Sequence, residues 1–340
     1  MFNFFKKKKR SQGMNAVVLS HEGIGFASII RTPGQPPVLT SVSFSTIDNP
    51  SETQSVFKQL VQDQKLKDKS ITTSLLLNES HLTMIEKPQV ADDELRQAVR
   101  WGIKESIPFN LDDAIVDVFE IPGQKERGRT PLVYVTAAEK SFLKQKIQLM
   151  EQQELEVESI DIAELVMRNI ASLLAEDQQG VALLNLDATK GLMTLTHESS
   201  LYLARNIDVG YSSLIAASSI LGDVLSEDGL SLEQGFTPDQ QRALDEIVLE
   251  VQRSLDYYES HFAKPAINSL VIAPLPQAIP GMINYLASAL GLQVRLLDLN
   301  LLLDSTIPMS EELQSQSFLA IGAALRENEI KTNKTQGDAA

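Results

Sequence analysis

Apolar positions along the chain fall into short alternating runs and into longer runs spaced by three and four, the signatures of strands and amphipathic helices. Ala16 to Leu19 are apolar, His21-Glu22-Gly23 read as a turn, and Phe26 to Ile30 resume the run. A Pro33-Gly34-Gln35-Pro36-Pro37 loop leads to Val38 to Phe44, which alternate in polarity. A helix after Pro50 carries Val56, Phe57, Leu60 and Val61 on one face, and Ile71 to Leu77 form a further strand, completing a βββαβ unit. The same order returns about 165 residues later. Val181 to Leu186, Leu192 to Thr196 and Leu201 to Ile207 read as strands, with Asp187 to Gly191 as the first turn. A helix from Tyr211 to Val224 and a strand from Leu270 to Ala273 follow. Such a duplication predicts an α/β protein of two similar lobes facing a cleft.

Between the repeats the pattern changes. Pro88 ends a strand, and Asp92, Asp93 and Glu94 supply the negative charge that suits a helix start. Leu95, Ala98, Val99, Gly102, Ile103 and Ile107 then recur on one face up to Pro108, which predicts a helix over 92–107. Asp112 to Ile121 and Leu132 to Thr136 read as strands around the polar loop Gln124 to Thr130, and a helix over 139–153 turns Phe142, Leu143, Ile147 and Met150 inward. This αββα piece, 82–155, reads as a small inserted subdomain. It divides the chain into a basic tip (1–13), the first lobe (14–81, resumed at 156–180), the second lobe (181–330) and a polar tail (331–340). The most regular helix covers 239–262, where Leu244, Ile247, Val248, Val251, Leu255, Tyr258 and Phe262 make one core-facing stripe.

Charge changes the picture at the N-terminus. The chain holds 30 Lys and Arg against 45 Asp and Glu, a net −15, yet Lys6 to Arg10 are all basic; without them the remainder carries −20. A body that acidic repels phosphate backbones, which excludes nucleic acid as a partner of the fold. The tip, with Phe2, Phe4 and Phe5 ahead of its five cations, is either a solvated start of chain or a loose contact to an anionic membrane. Ser11-Gln12-Gly13 interrupt any apolar stretch a secretory signal would need, and no run reaches the roughly 18 apolar residues of a spanning helix, so the expected location is the cytoplasm, peripheral to a membrane. Cysteine is absent, which excludes disulfides and thiolate chemistry.

Catalytic motifs are scarce. His21, His81, His197 and His261 lack the spacing that would place two imidazoles on one helix face, and Gly210-Tyr211-Ser212-Ser213-Leu214 lacks the closing glycine of a serine nucleophile turn. No metal site or catalytic residue is predicted. Gly23 and Gly25 are too few for a dinucleotide loop and read as hairpin-turn residues. The turn Asp187-Ala188-Thr189-Lys190-Gly191 offers a carboxylate, a hydroxyl and an amine at the cleft, and Pro280-Gly281 marks a tight loop before a helix over 282–290. Each has a plain structural reading as a turn.

Several strings together resemble the PilM-like proteins of bacterial type IV pilus assembly, which share an actin-like ATPase fold with the cell-division protein FtsA. They are Asp93 to Trp101 leading to Ile107-Pro108-Phe109, Leu132 to Ala137, Val157 to Asp161, Leu183 to Leu195, Arg205 to Gly210, Arg253 to Phe262 and Ile321 to Arg326. The resemblance covers nearly the whole chain after Asn15. It implies a bilobal actin-like fold and a nucleotide cleft formed by Asn185, Asp187, Thr189, Gly210, Pro280 and Gly281. The cleft departs from the family pattern. Ser20-His21-Glu22 stands where an Asp-Ile-Gly loop is expected, Asn185-Leu186-Asp187 replaces an aspartate and a glycine, and Ala273-Pro274 replaces paired glycines. Without those carboxylates Mg²⁺ loses its ligands. The expectation is therefore a non-catalytic adaptor without cofactor, which binds the cytoplasmic tail of an inner-membrane pilus protein through the lobe that holds the insertion. The alternative is an active ATPase that binds ATP. Trp101, the single tryptophan, is either an anchor for that tail or a half-buried core residue.

Overall fold

The structure, a computed structural model, describes residues 13–327 apart from 33, 125–129, 216–235, 263 and 306. The tip with Phe2, Phe4, Phe5 and Lys6 to Arg10, the 211–224 helix beyond Ile215, most of the Gln124–Thr130 loop and the tail from 331 lie outside the described residues.

The first lobe begins with a meander of three antiparallel strands, β1 (Gly13–Leu19), β2 (Gly23–Ile30) and β3 (Val38–Thr46). Helix α1 (Thr53–Asp63) turns Phe57, Leu60 and Val61 inward and leads to β4 (Ser70–Leu75), parallel to β1. The second lobe repeats the plan with β9 (Val181–Leu186), β10 (Gly191–His197), β11 (Ser200–Ile207), α5 (Tyr211–Ile215), α6 (Pro238–Phe262) and β12 (Ser269–Ile272). Between the repeats lie β5 (His81–Glu86), α2 (Leu95–Gly102), β6 (Ala114–Glu120), β7 (Leu132–Glu139), α3 (Lys140–Glu151), β8 (Glu156–Ile162) and α4 (Ala163–Ala171). After β12 come α7 (Met282–Leu290), β13 (Gln293–Leu296), α8 (Leu299–Leu302), β14 (Asp304–Ser305) and α9 (Glu311–Ala324).

Both main sheets have the same strand order once β14 is set aside. The first runs β14-β3-β2-β1-β4-β8 and the second β11-β10-β9-β12-β13. In each, the first strand of the meander lies at the centre and pairs in parallel with the strand that follows the helix. This duplicated arrangement is the bilobal actin-like fold. The parallel central strands are sheathed on both faces, so they read as continuous apolar runs such as Val-Ala-Leu-Leu in β9.

Helix α4 sits between the lobes. Val166, Met167, Ile170 and Ala171 are fully buried, and the core around them takes in Ala16, Ala27 and Ile29 of the first lobe with Leu183, Leu192 and Val271 of the second. Each Val, Leu, Ile or Met side chain among these contributes roughly 1.5–3 kcal/mol when fully buried. The insertion is a three-stranded sheet of order β5-β7-β6 with α2 on one face. It leans on the second lobe, where the Tyr134 hydroxyl donates to the Tyr202 carbonyl at 3.2 Å and Tyr257 approaches the Met84 sulfur at 3.9 Å.

Three boundaries differ from the sequence reading. Helix α2 spans Leu95–Gly102 rather than 92–107, because Ile103 to Ser106 continue in turns and bury Ile103 and Ile107 without further helix. Helix α3, assigned to the insertion, packs Met150 against Phe57, Leu60 and Val61 on the first lobe. The second lobe does not run to 330: β14 pairs with β3, and α9 lies across β1 and β2. The apolar side of α9 is covered there and by α4, through Phe318, Ala320 and Ile321, and a Cβ on Gly25 would stand 3.3 Å from Ala320. Gly25 is thus a strand residue under a helix rather than a turn glycine.

Candidate functional site

The cleft residues come from the repeated hairpins. Asp187 opens the β9–β10 turn, its N–H donating to the Lys190 carbonyl at 2.8 Å. Its carboxylate accepts from the N–H of Ala188 at 2.8 Å. The start of α5 folds onto the same turn, with Tyr211 N–H donating to the Asp187 carbonyl (2.8 Å) and Ser212 N–H to the Ala188 carbonyl (3.0 Å). Gly210 is what permits this approach: a Cβ there would stand 2.3 Å from the Thr189 carbonyl carbon and 2.5 Å from the Ala188 oxygen. The structure therefore brings Asp187, Thr189 and Gly210 together, with Asn185 half-buried two residues earlier on β9.

Pro280 and Gly281 stand at the start of α7, Gly281 with φ +80°. The edge of the Phe236 ring lies 3.3 Å from where a Gly281 Cβ would be, and that ring meets Tyr285 edge-on at 5.5 Å. Tyr285 in turn hydrogen-bonds Asp245 and Gln241. On the opposite hairpin, the Ser20 hydroxyl donates to the Gly23 carbonyl (3.0 Å) and accepts from the Gly23 N–H (3.2 Å), closing that turn on itself. These residues do not fit a magnesium–triphosphate. The turns bond to themselves, the one acid at the β9–β10 turn accepts from its own backbone, and an aromatic side chain lies against the Pro-Gly corner. Among the described residues no group of three or more His, Asp or Glu side chains could hold a metal ion.

A second site is built where the insertion meets the first lobe. A groove of about 870 Å³ runs between β6 and the end of β8, floored by Leu75, Leu143 and Leu165 and flanked by α4 and the segment Leu325 to Glu327. Among the described residues β6 pairs only with β7 and β8 only with β4, so each turns a free sheet edge toward the groove. Both edges are blunted by an aspartate. Asp117 accepts from the Val118 N–H at 2.9 Å and Asp161 from the Ile162 N–H at 3.2 Å, so each side chain covers one backbone donor of its strand.

Four arginines line the same groove. Arg96 pairs with Asp117 at 2.8 Å across its mouth. Deeper, Arg326 stands 3.2 Å from Asp161, whose side chain is only 1% exposed. Arg31 bonds Glu327 (2.8 Å) and the Leu325 carbonyl (2.6 Å), and Arg168 donates to Asn169 at 2.9 Å. Burial lowers the pKa of Arg168; Asp161 opposes the shift and Arg326 adds to it. Glu164, one turn from Arg168 on α4, is also buried, and loss of hydration pushes its pKa up to about 7, with Asp161 adding repulsion.

Trp101 does not line this groove. It is neither a core residue nor half-buried: 72% of it is exposed on α2. That helix is fixed to the insertion by its neighbour Arg100, which donates to the carbonyls of Leu111 (2.7 Å) and Ala114 (3.2 Å). The groove residues escaped the sequence reading because they come from eight separated segments. The signals available were the alternation of Ala114 to Glu120 and three arginines embedded in otherwise apolar stretches at 31, 168 and 326.

Comparison with known proteins adds three findings. The sequence model of a family described as "Type IV pilus assembly protein PilM" matches residues 34–224. No curated protein matches by sequence. Among solved structures, a PilM–PilN type IV pilus biogenesis complex superposes with a TM-score of 0.71 at 17% identity, covering 93% of this chain and 98% of that one. The cytoplasmic domain of EpsL, an inner-membrane component of the type II secretion system of Vibrio cholerae, matches with a TM-score of 0.46 at 10% identity, covering 93% and 96%.

Proposed function

Since the chain belongs to the PilM family of type IV pilus assembly proteins, we propose that it is a non-catalytic cytoplasmic adaptor that holds the cytoplasmic tail of an inner-membrane pilus protein in the groove between β6 and β8. The observation that carries this reading is the pair of free strand edges facing one cavity. An extended tail laid there gains main-chain hydrogen bonds from an edge, while alternate side chains reach the apolar floor. The solved relative with PilN bound in its complex supports a partner of that kind. Within the family we assign the chain to the MshI-like members, which serve mannose-sensitive haemagglutinin pili, on the strings quoted from its sequence.

The cleft supports the non-catalytic half of the proposal, since its donor set does not match a magnesium–triphosphate. No helix among the described residues is long and apolar enough to cross a membrane. Attachment at the inner membrane then comes from the partner, helped by Phe2, Phe4, Phe5 and Lys6 to Arg10, each cation adding about 1 kcal/mol near anionic lipid.

The test is titration with synthetic peptides that tile the partner's cytoplasmic tail, on the wild type and on Val118→Pro. Proline there removes the Val118 N–H, which Asp117 holds in the unliganded protein and which an added strand would have to take over. The expected result is binding to the wild type and its loss in a variant that melts normally. Equal binding by both would rule out strand addition at β6. Titration with Mg-ATP addresses the ATPase alternative: no heat supports the adaptor, and micromolar binding would replace it with a nucleotide-switched reading.

A further inference from the structure

The strand register sets four chain segments side by side at one end of the first sheet. Gly13 pairs with Ile30, Ile30 with Val38, and Val38 with Asp304, so one row of Cα partners crosses β1, β2, β3 and β14. Ile29 and Leu39 are buried in the core that holds α9, which turns Ile30 to the opposite face of the sheet. The row ends in apolar side chains left in water. Leu301 on α8, three residues before Asp304, is 87% exposed, Ile307, two residues past β14, is 50% exposed, and Ile30 is 37% exposed. Large apolar residues gathered at one place mark a contact surface, where single ones would not. Acid lies in the same stretch of chain, since Asp304, Glu311 and Glu312 are all exposed.

The basic tip joins the fold at the other end of that row, at Gly13. Three strand spacings put Asp304 about 14 Å from Gly13, and residues 6–12 span about 23 Å when extended. Phe2, Phe4 and Phe5 are thus within reach of Leu301 and Ile307, and the five cations from Lys6 to Arg10 within reach of the acids. We propose that Ile30, Leu301 and Ile307 form a dock for the chain's own Phe2, Phe4 and Phe5, with Lys6 to Arg10 held over Asp304, Glu311 and Glu312. A body of net −20 keeps such a tip close. The same charge disfavours the other occupants, because an anionic bilayer or a second copy of net −15 would be brought against exposed carboxylates. Docked rings are withheld from lipid, so the patch and an anionic membrane compete for the tip. That competition rests on the reading of the tip as a membrane contact; the docking does not.

The test is photocrosslinking of the full-length protein carrying Phe4→benzoylphenylalanine, irradiated at low concentration and mapped by mass spectrometry. The expected result is a cross-link within one chain, at monomer mass, on the peptide that holds Leu301 and Ile307. Leu301→Ser with Ile307→Ser should lower its yield by about tenfold, as loss of two apolar contacts does. Both side chains are exposed, so this double variant should melt like the wild type. High salt should lower the yield as well, because the tip's cations are then screened from the acids. Cross-links spread over the surface or found in the β6–β8 groove would overturn the proposal, and so would a yield unchanged in the double variant. A cross-linked dimer would overturn it too, by giving the patch to a second copy. Adding vesicles with anionic lipid to the same protein should abolish the cross-link. A yield that vesicles leave unchanged would refute the competition for the tip while the docking stands.

Discussion

The interlobe cleft and the insertion groove are built from the same materials and finish differently. At the cleft, strand-turn backbone is satisfied within itself: Ala188 by Asp187, Gly23 by Ser20, and Tyr211 and Ser212 by the β9–β10 turn. At the groove, β6 and β8 end their sheets with no further strand among the described residues, and the Nε–H groups of Arg31 and Arg168 are buried without an acceptor. The difference teaches that two turns of similar outline can differ in how much of their hydrogen-bonding capacity is spent within the turn itself. Binding capacity is found where backbone and side chains remain unpaired toward a cavity.

The largest effect that would break this comparison is at Gly210. Gly210→Ala should cost about 3 kcal/mol or more in a denaturant melt, because its Cβ would overlap backbone atoms that cannot move independently. If the variant instead folded normally, the closed turn would not be the cleft's ground state. Gly322→Ala should behave similarly, since its Cβ would lie 2.7 Å from the Val166 carbonyl oxygen at the α9–α4 contact.

Glu164→Gln comes next and depends on pH. The carboxyl is protonated in both folded and unfolded chains below its ordinary value of 4.5, so the substitution should be neutral there. Between 4.5 and about 7 the unfolded chain ionises and the folded one does not, which destabilises the wild type progressively. Above about pH 7 the variant should be the more stable by about 3 kcal/mol, read as a melting difference that grows from pH 4 to pH 8. A pH-independent difference would mean that Glu164 is hydrated in solution.

Smaller effects sharpen the contrast. Asp187→Ala should cost about 1 kcal/mol, from one backbone hydrogen bond, and leave tail binding unchanged. Trp101→Ala should alter stability by no more than about 0.5 kcal/mol, since the ring is exposed, so a loss of partner capture by that variant would mark α2 as a second contact. Deleting residues 1 to 10 should lower the fraction bound to anionic vesicles at low salt only, and an unchanged fraction would remove the tip from the membrane contact.

Much of the architecture was legible in the pattern. The apolar runs of β9 and of α7, and the seven-residue stripe of α6, name elements whose periodicity matches their burial. What escaped were pieces whose partners lie far away in sequence. Strand β14 has two residues and forms because β3 offers an edge; α3 and α9 look like parts of the insertion and the second lobe until packing assigns them to the first. Asp187, Thr189 and Gly210 could be read as neighbours because one hairpin and the next helix start join them. The groove could not, since Arg31, Arg168 and Arg326 become neighbours only through sheet order.

The sequence alone determined the duplicated βββαβ plan, the insertion between its halves, and the lack of cysteine and of metal-ligand spacing. Periodicity, turn chemistry and residue type suffice for these, because each is local or absolute. Only the tertiary structure decided that β6 and β8 end as sheet edges across one groove, that Asp161 meets Arg326 beside Arg168, and that Trp101 faces solvent. Edge status, burial and charge convergence are properties of what a strand or side chain fails to meet as much as what it meets, and that is settled by packing over distances the local pattern does not encode.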